Sequence, residues 1–258
     1  MSETLEASPA TPFVPPTLRN RVTGLVLTPV LIALALLTTW LVVWSSNLDS
    51  IEARTLNAEY IRASVLAHVY LAVVSGVIVL ILAVALGIAL TRGFGKRIAP
   101  QVLAIVSVGQ AVPAIGLIVL LTILFGVGVR IALVGLIVTT LLPVLRNVVA
   151  GLEGVDPALV EAARGMGLRP WQVLTTVELP LAVPVVLAGF RTSLVLSVGV
   201  ATLATFVNAG GLGDMIVNGI KLQKNLVLIT GCVLVCAIAF FLDWLCGLLE
   251  LWLRPRGL

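Results

Sequence analysis

The sequence predicts an all-α integral membrane protein with about six transmembrane helices. Hydrophobic residues make up 60% of the 258 residues and charged residues only 11%, and the mean hydropathy is +1.17. Soluble domains contain about 45–50% apolar residues, so this chain has too few polar side chains to cover a water-facing surface. Its apolar residues also form runs of the roughly 20 residues that a helix needs to cross a bilayer. Both observations indicate that most of the surface lies against lipid.

Six apolar runs are predicted to span the membrane, with tails before and after them. Residues 1–23 are predicted to be a flexible tail, because Pro9, Pro12, Pro15 and Pro16 prevent a stable helix. Residues 250–258 form the second tail, and segment 46–62 is too short to be a binding domain. The predicted spans are 24–45, 65–91, 99–125, 130–146, 184–207 and 226–249.

The distribution of Lys and Arg predicts the orientation, because cytoplasmic loops carry the excess of these residues. Ten of them fall in one set of loops and five in the other, with Arg191 left inside the fifth span. This bias places both termini and the connection between the fourth and fifth spans in the cytoplasm. It also explains the formal net charge of +4 without nucleic-acid binding, since no basic stripe is present.

The connection from Arg146 to Pro184 contains the stretch EAARGMGLRPWQVLTTVELP at 161–180. Asp156 and Pro157 predict a helix start, with an N-cap oxygen followed by proline at the first helical position. The apolar side of that helix is formed by Leu159, Ala162, Ala163 and Met166. Glu161 and Arg164 lie on the opposite side. Gly165 and Gly167 allow a sharp turn, after which Pro170 opens a second short helix that Pro180 and Pro184 are expected to end.

Both short helices need a surface to pack on, because helices of this length are unstable alone in water. From the residues alone, an amphipathic connector lying on the membrane and a docking element explain the stretch equally well. The spacing of the motif adds a further observation. The stretch resembles the EAA loop of ABC importer permeases. The resemblance lies in Glu161-Ala162-Ala163, then Gly167 after three residues, then Val-Glu-Leu-Pro at 177–180 after nine more residues.

This resemblance implies a type I ABC importer permease fold, with a core domain at 62–246 and a cytoplasmic coupling loop at about 147–183. It implies that Glu161, Ala162, Ala163 and Gly167 dock on an ATP-hydrolysing subunit, with Arg164 as a charge at the rim. Four further stretches resemble the permeases that import glycine betaine, choline and carnitine. They are 108–121, 141–167, 177–194 and 208–220, with departures from the usual pattern at 111–115 and at Asn208.

Three residues are candidates for the translocation pathway: Gln110, Pro113 and Asn208. A glutamine and a proline inside a predicted span suit a bent helix that faces a pathway or another helix, although a structural kink explains them equally well. Asn208 begins a glycine-rich turn at the outer end of the fifth span. This turn is not a phosphate-binding loop, because no Lys-Ser/Thr pair follows it.

The remaining single residues give weaker signals. His68, the only histidine, is expected at the membrane interface. Asp243 lies near the inner end of the sixth span. Its position fits either an acid at the membrane interface or a residue of the translocation pathway. Cys232, Cys236 and Cys246 fall in one apolar run and are expected to be packing residues. No metal site, catalytic cluster or cofactor is predicted on the chain.

The resemblance implies a transport subunit rather than an enzyme, placed in the inner or plasma membrane of a prokaryote. ATP and Mg²⁺ are expected on the ATPase. The implied partners are two ABC ATPase subunits, a second permease copy or paralogue, an extracytoplasmic substrate-binding protein and the lipid bilayer. The alternatives are an ABC permease for an amino acid, methionine or a sulphonate, and an ATP-independent secondary transporter, which would use charged residues inside the membrane as ion sites.

Overall fold

A computed structural model describes residues 18–253 of the chain, and every regular element in that range is helical. The elements are α1 (Leu18–Ser45), α2 (Ser50–Thr55), α3 (Ala58–Leu90), α4 (Gly95–Ala111), α5 (Ala114–Phe125), α6 (Val129–Glu153), α7 (Pro157–Gly165), α8 (Pro170–Val173), a π-helical turn (Leu174–Glu178), α9 (Leu179–Ala201), a 3₁₀ turn (Thr202–Val207), α10 (Gly213–Lys221) and α11 (Asn225–Leu253).

Within the described residues, five helical segments are long and apolar enough to cross a membrane, or six when α4 and α5 count as one bent span. This confirms the predicted fold class. Several helices extend beyond the predicted spans because an apolar run marks only the part that lies in lipid. Residues 18–23 and 250–253, placed in tails by the sequence, belong to α1 and α11, while residues 1–17 and 254–258 lie outside the described residues.

The predicted span 99–125 is broken rather than merely bent, because α4 and α5 meet at 93°. Pro113 is the cause. The residue before a proline is disfavoured in the helical region, and Val112 accordingly has the extended angles φ −71° and ψ 134°. Pro113 then precedes the first residue of α5. The break therefore divides this span into two half-length helices.

Helices α3, α6 and α9 form the centre of the bundle. Apolar side chains that include Val79, Val148 and Val186 pack together in its largest buried cluster. Hydroxyl groups cross the same interface: Ser193 Oγ donates to the Thr140 carbonyl at 3.0 Å, and Ser75 and Ser197 contribute longer contacts. Small hydroxyl residues let membrane helices approach closely and hydrogen-bond to each other. These three helices therefore form the rigid support for the rest of the chain.

The bundle has two ends, which we name by their residues. The insert end carries α7 and α8 (157–173), and the opposite end carries α2, α10 and the turn at 208–212. The opposite end is held by contacts between distant segments. The Gly128 N–H donates to the Val207 carbonyl at 2.7 Å, and Lys224 pairs with Asp49, the N-cap of α2.

Candidate functional site

The segment with the predicted coupling pattern begins as the sequence predicts. Helix α6 ends at Glu153, seven residues beyond the predicted span end at 146. After a short turn, the Asp156 carboxylate accepts the Ala158 N–H at 2.9 Å, and Pro157 occupies the first turn of α7. This N-cap satisfies one of the free donors at the helix start. Only about three residues, 154–156, therefore separate α7 from a membrane-spanning helix.

Helix α7 ends in a Schellman motif centred on Gly167. The Gly167 N–H donates to the Arg164 carbonyl at 2.9 Å, and the Leu168 N–H donates to the Ala163 carbonyl at 3.2 Å. Gly167 has a φ of +84°, a conformation that costs a residue with a Cβ about 1–2 kcal/mol. Gly167 therefore sets the direction in which the chain leaves α7, while its predicted role in docking stays a prediction.

The second half of the segment differs from the prediction. Gln172 Oε1 accepts the Arg169 N–H at 2.8 Å, and Pro170 opens α8 as expected. The expectation that Pro180 and Pro184 end this helix is wrong. Pro180 lies where the π-helical turn passes into α9, and Pro184 lies inside α9, so neither proline ends the helix. The π-helical turn at Leu174–Glu178 joins α8 to α9, so helical backbone continues from Pro170 to Val207.

The exposed surface of α7 and α8 is strongly apolar. Of the predicted apolar side, only Ala163 is buried, with 2% of its surface exposed, while Ala162 faces solvent. The large apolar side chains of this segment that face outwards are Leu159 at 49%, Met166 at 74% and Trp171 at 68% exposure. Glu161 and Arg164 are exposed beside them. Large apolar side chains left exposed close to charged residues of the same short segment are typical of a protein interaction site.

A polar cleft of about 230 Å³ separates α7 from the turn between α3 and α4. Arg92 and Lys96 line one side of it, and Glu161 and Arg164 line the other. At its base Arg92 Nη1 donates to Glu178 Oε1 at 3.1 Å, and the second pair of atoms, Nη2 and Oε2, also forms an ion-pair contact. Glu178 is not among the residues for which the sequence predicts a role. The available signal was an acidic residue placed directly before a long apolar run.

The predicted pathway residues fall at two places. Gln110 is exposed in the last turn of α4, and Pro113 is exposed at the break before α5. Asn208 is exposed beyond the other end of α5, where it has a left-handed φ of 56° and ends the 3₁₀ turn. The structure therefore brings Gln110 and Pro113 together but places Asn208 apart from them. Their part in a pathway stays a prediction.

Two single residues have partners that the sequence did not reveal. The placement of His68 at the membrane interface stays a prediction, but its side chain is fully buried within the bundle, and His68 Nε2 lies 3.1 Å from the Val198 carbonyl oxygen. Asp243 binds Arg191 through two parallel contacts, Nε to Oδ1 and Nη2 to Oδ2. Asp243 is therefore an ion-pair partner that links α9 to α11. The three cysteines are free, and Cys246 is the buried one.

Comparison with known proteins identifies the family. Residues 83–255 match the family model described as "Binding-protein-dependent transport system inner membrane component". The chain is 38% identical over 191 residues to the glycine betaine/carnitine/choline transport system permease protein OpuCB of Bacillus subtilis, covering 74% of this chain and 87% of that protein. It is 35% identical over 216 residues to the osmoprotectant import permease protein OsmW of Salmonella typhimurium, covering 82% of this chain and all of that protein.

Solved structures support the same fold. The chain superposes on a chain of the inward-facing MetNI methionine ABC transporter with a TM-score of 0.66 and 24% identity, covering 76% of this chain and 96% of the other. An amino acid ABC transporter solved with histidines gives a TM-score of 0.64 and 15% identity, covering 80% and 100%. At these identities the likeness concerns the fold. Together with the family match and the two relatives, it establishes that the chain belongs to the binding-protein-dependent transport system inner membrane components, the permease family of ABC importers.

Proposed function

We propose that this chain is the membrane-spanning permease subunit of an ATP-driven importer for a small osmoprotectant, a quaternary amine such as glycine betaine, choline or carnitine. It works with two ATPase subunits, a second permease copy or paralogue and an extracytoplasmic substrate-binding protein. Both of its termini and its insert end lie in the cytoplasm. ATP and Mg²⁺ are bound by the ATPase subunits, so this chain contributes the pathway and the coupling.

The observation that carries the proposal is the exposed surface of α7 and α8. Leu159, Met166 and Trp171 present large apolar side chains outwards, and a soluble partner that covers them would gain about 25 cal/mol for each Å² removed from water. Glu161 and Arg164 in the same segment favour one orientation of the partner, because charges at an interface rim contribute specificity more than affinity. A cleft on an ATPase subunit is the occupant that fits this surface.

The connections of α7 explain how docking could move the membrane helices. On one side, three residues lead from α6 into α7, and on the other, helical backbone runs from Pro170 through the π-helical turn into α9. Neither connection contains a long flexible loop that would absorb movement. When two ATPase subunits close on ATP, a displacement of α7 therefore reaches α6 and α9. The permease then shifts between inward-open and outward-open arrangements, which is a two-state equilibrium biased by nucleotide.

The assignment of the solute class rests on the relatives. They are named for glycine betaine, carnitine, choline and osmoprotectant transport, at 35–38% identity over most of their length. The alternative of a secondary transporter needs an acidic group free to bind ions inside the membrane. Asp243, the acid that alternative would use, is occupied by Arg191. This favours the ATP-driven import mechanism over ion coupling.

The experiment that tests the proposal is ATP-dependent uptake of radiolabelled glycine betaine and choline into proteoliposomes. The vesicles contain this chain with its ATPase and its substrate-binding protein. A Gly167→Asp variant is expected to abolish uptake while the chain still inserts in the membrane. Gly126→Asp is the matched control, because Gly126 also has a positive φ and open surroundings but lies away from α7.

Three outcomes of the uptake assay distinguish the proposed function from its alternatives. ATP-dependent uptake that is lost in Gly167→Asp and kept in Gly126→Asp supports the proposed coupling and the solute class together. ATP-dependent uptake of another solute alone refutes the osmoprotectant assignment and leaves the coupling role in place. Uptake that does not depend on ATP refutes the proposed function as a whole.

A further inference from the structure

The ion pair between Arg92 and Glu178 joins two segments that are far apart in the sequence. Arg92 lies two residues after the end of α3, in the turn that leads to α4, and Glu178 is the last residue of the π-helical turn before α9. Only 5% of the Glu178 surface is exposed, whereas the Arg92 side chain is 39% exposed. A carboxylate buried to this extent requires a cation, since an unpaired buried charge is strongly unfavourable.

The pair lies at the base of the cleft of about 230 Å³ that separates α7 from the α3–α4 turn. Above the pair, the cleft leaves space between α7 and this turn, so their separation can change. Burial, and then the charge of Arg164 on the far side of the cleft, lower the pKa of the Arg92 guanidinium. Arg164 therefore repels Arg92 across the cleft, while Glu178 holds Arg92 at its base.

The α3–α4 turn is compact, so a pull on Arg92 is passed on to α4. Helix α4 begins at Gly95, and a Cβ at that position would collide with the Ala89 carbonyl oxygen. The Arg92 N–H donates to the Ala89 carbonyl at 3.4 Å, and the Lys96 N–H donates to the Arg92 carbonyl at 3.3 Å. From Gly95, α4 runs 17 residues to Ala111, about 25 Å at 1.5 Å per residue. Its far end carries Gln110 and the break before α5.

We propose that Arg92 and Glu178 are positioning residues that transmit the movement of the docking segment, α7 and α8 (157–173), to the broken span α4–α5. Glu178 belongs to the continuous backbone that follows α8, and Arg92 belongs to the turn that carries α4. The ion pair therefore makes the start of α4 follow the start of α9. This inference rests on the proposed function, because it assigns the pair a role in the coupling that the ATPase drives.

The test compares solute uptake with ATP hydrolysis in the same proteoliposomes of the full importer. The main variant is Arg92→Leu with Glu178→Leu, because replacing both partners by apolar side chains leaves no unpaired buried carboxylate, whereas removing Arg92 alone would. We expect the double variant to assemble and hydrolyse ATP, while uptake per ATP hydrolysed falls about fivefold or more, the usual size of a coupling effect. Arg92→Lys, which keeps the charge, is expected to retain most of the ratio.

Lys96→Gln with Glu153→Gln is the matched control. These side chains form a 4.0 Å ion pair beside the same cleft but are 69% and 44% exposed, so their loss is expected to leave the uptake ratio unchanged. A wild-type ratio in the double leucine variant would overturn the inference. A loss of uptake and of ATP hydrolysis in equal proportion would also overturn it, because that result indicates failed docking rather than failed transmission.

A distance measurement tests the inference without the solute, so that a wrong osmoprotectant assignment does not affect it. Spin labels are placed at Phe94, exposed in the α3–α4 turn, and at Thr176, exposed in the π-helical turn. The three native cysteines are first replaced by alanine. In the assembled importer the distance between the labels should stay the same with and without ATP and vanadate. In the double leucine variant it should change between these states, and an unchanged distance there refutes the inference.

Discussion

His68 provides the sharpest stability prediction, because its hydrogen bond compensates a defect in the backbone of α9. At the end of α9, the Thr202 N–H donates to the carbonyl of Gly199 instead of that of Val198, as the helix tightens into the 3₁₀ turn. The Val198 carbonyl thus loses the donor that a continuing α-helix would supply. His68 Nε2, 3.1 Å away and fully buried, takes its place as an N–H donor.

We predict that His68→Leu destabilises the protein by about 1 kcal/mol. A buried polar group left without a partner costs about 1–3 kcal/mol in soluble proteins, while hydrogen bonds in membrane bundles are weaker, with a maximum near 1.7 kcal/mol. Leucine fills a similar volume, so little of the change comes from a cavity. His68→Gln keeps an N–H donor and is expected to lose less than half as much.

The assay is reversible unfolding of the purified chain in mixed micelles by titration with sodium dodecyl sulfate. The free energies of unfolding of the wild type and both variants are compared. If His68→Leu unfolds within about 0.3 kcal/mol of the wild type, the Val198 carbonyl does not depend on His68, and the explanation fails. Equal losses for the leucine and glutamine variants would also refute it, since packing rather than the donor would then be responsible.

Three further predictions concern the docking segment, the link between α9 and α11, and the opposite end. Gly167→Ala should destabilise by about 1–2 kcal/mol because of its φ of +84°, whereas Gly165→Ala, with equally open surroundings, should stabilise slightly in the same unfolding assay. Arg191→Leu should destabilise by about 1–2 kcal/mol, discounted for partial exposure, and Asp243→Leu in the same chain should recover most of the loss. Backbone N–H groups at the start of α2, and then a lysine ammonium, hold the pKa of Asp49 below its ordinary value of 3.8. Its contribution to stability is therefore present above that value and lost as the pH falls through the lowered pKa. Asp49→Asn should remove this part of the slope when melting temperature is measured between about pH 2 and 6.

The sequence was sufficient wherever a feature depends on neighbouring residues. The N-cap of α7 follows from Asp156 and Pro157, and the left-handed turn after α7 follows from Gly167. Caps and left-handed turns are decided within a few residues of backbone. The break at Val112 and Pro113 also has a local cause. Its size of 93° was not predictable, since the angle depends on how α4 and α5 pack against α6.

By itself, the sequence determined the all-helical membrane fold, the positions of the apolar spans and the spacing of the docking segment. Hydropathy and backbone conformation are local properties, and a run of about 20 apolar residues specifies a span whatever surrounds it. Tertiary structure alone decided the partners of the polar groups inside the bundle and at its insert end. Arg92 meets Glu178 across 86 residues, His68 meets Val198 across 130, and Arg191 meets Asp243 across 52. Each of these contacts depends on which helix faces meet in the bundle, and that is settled by the packing of all the helices together.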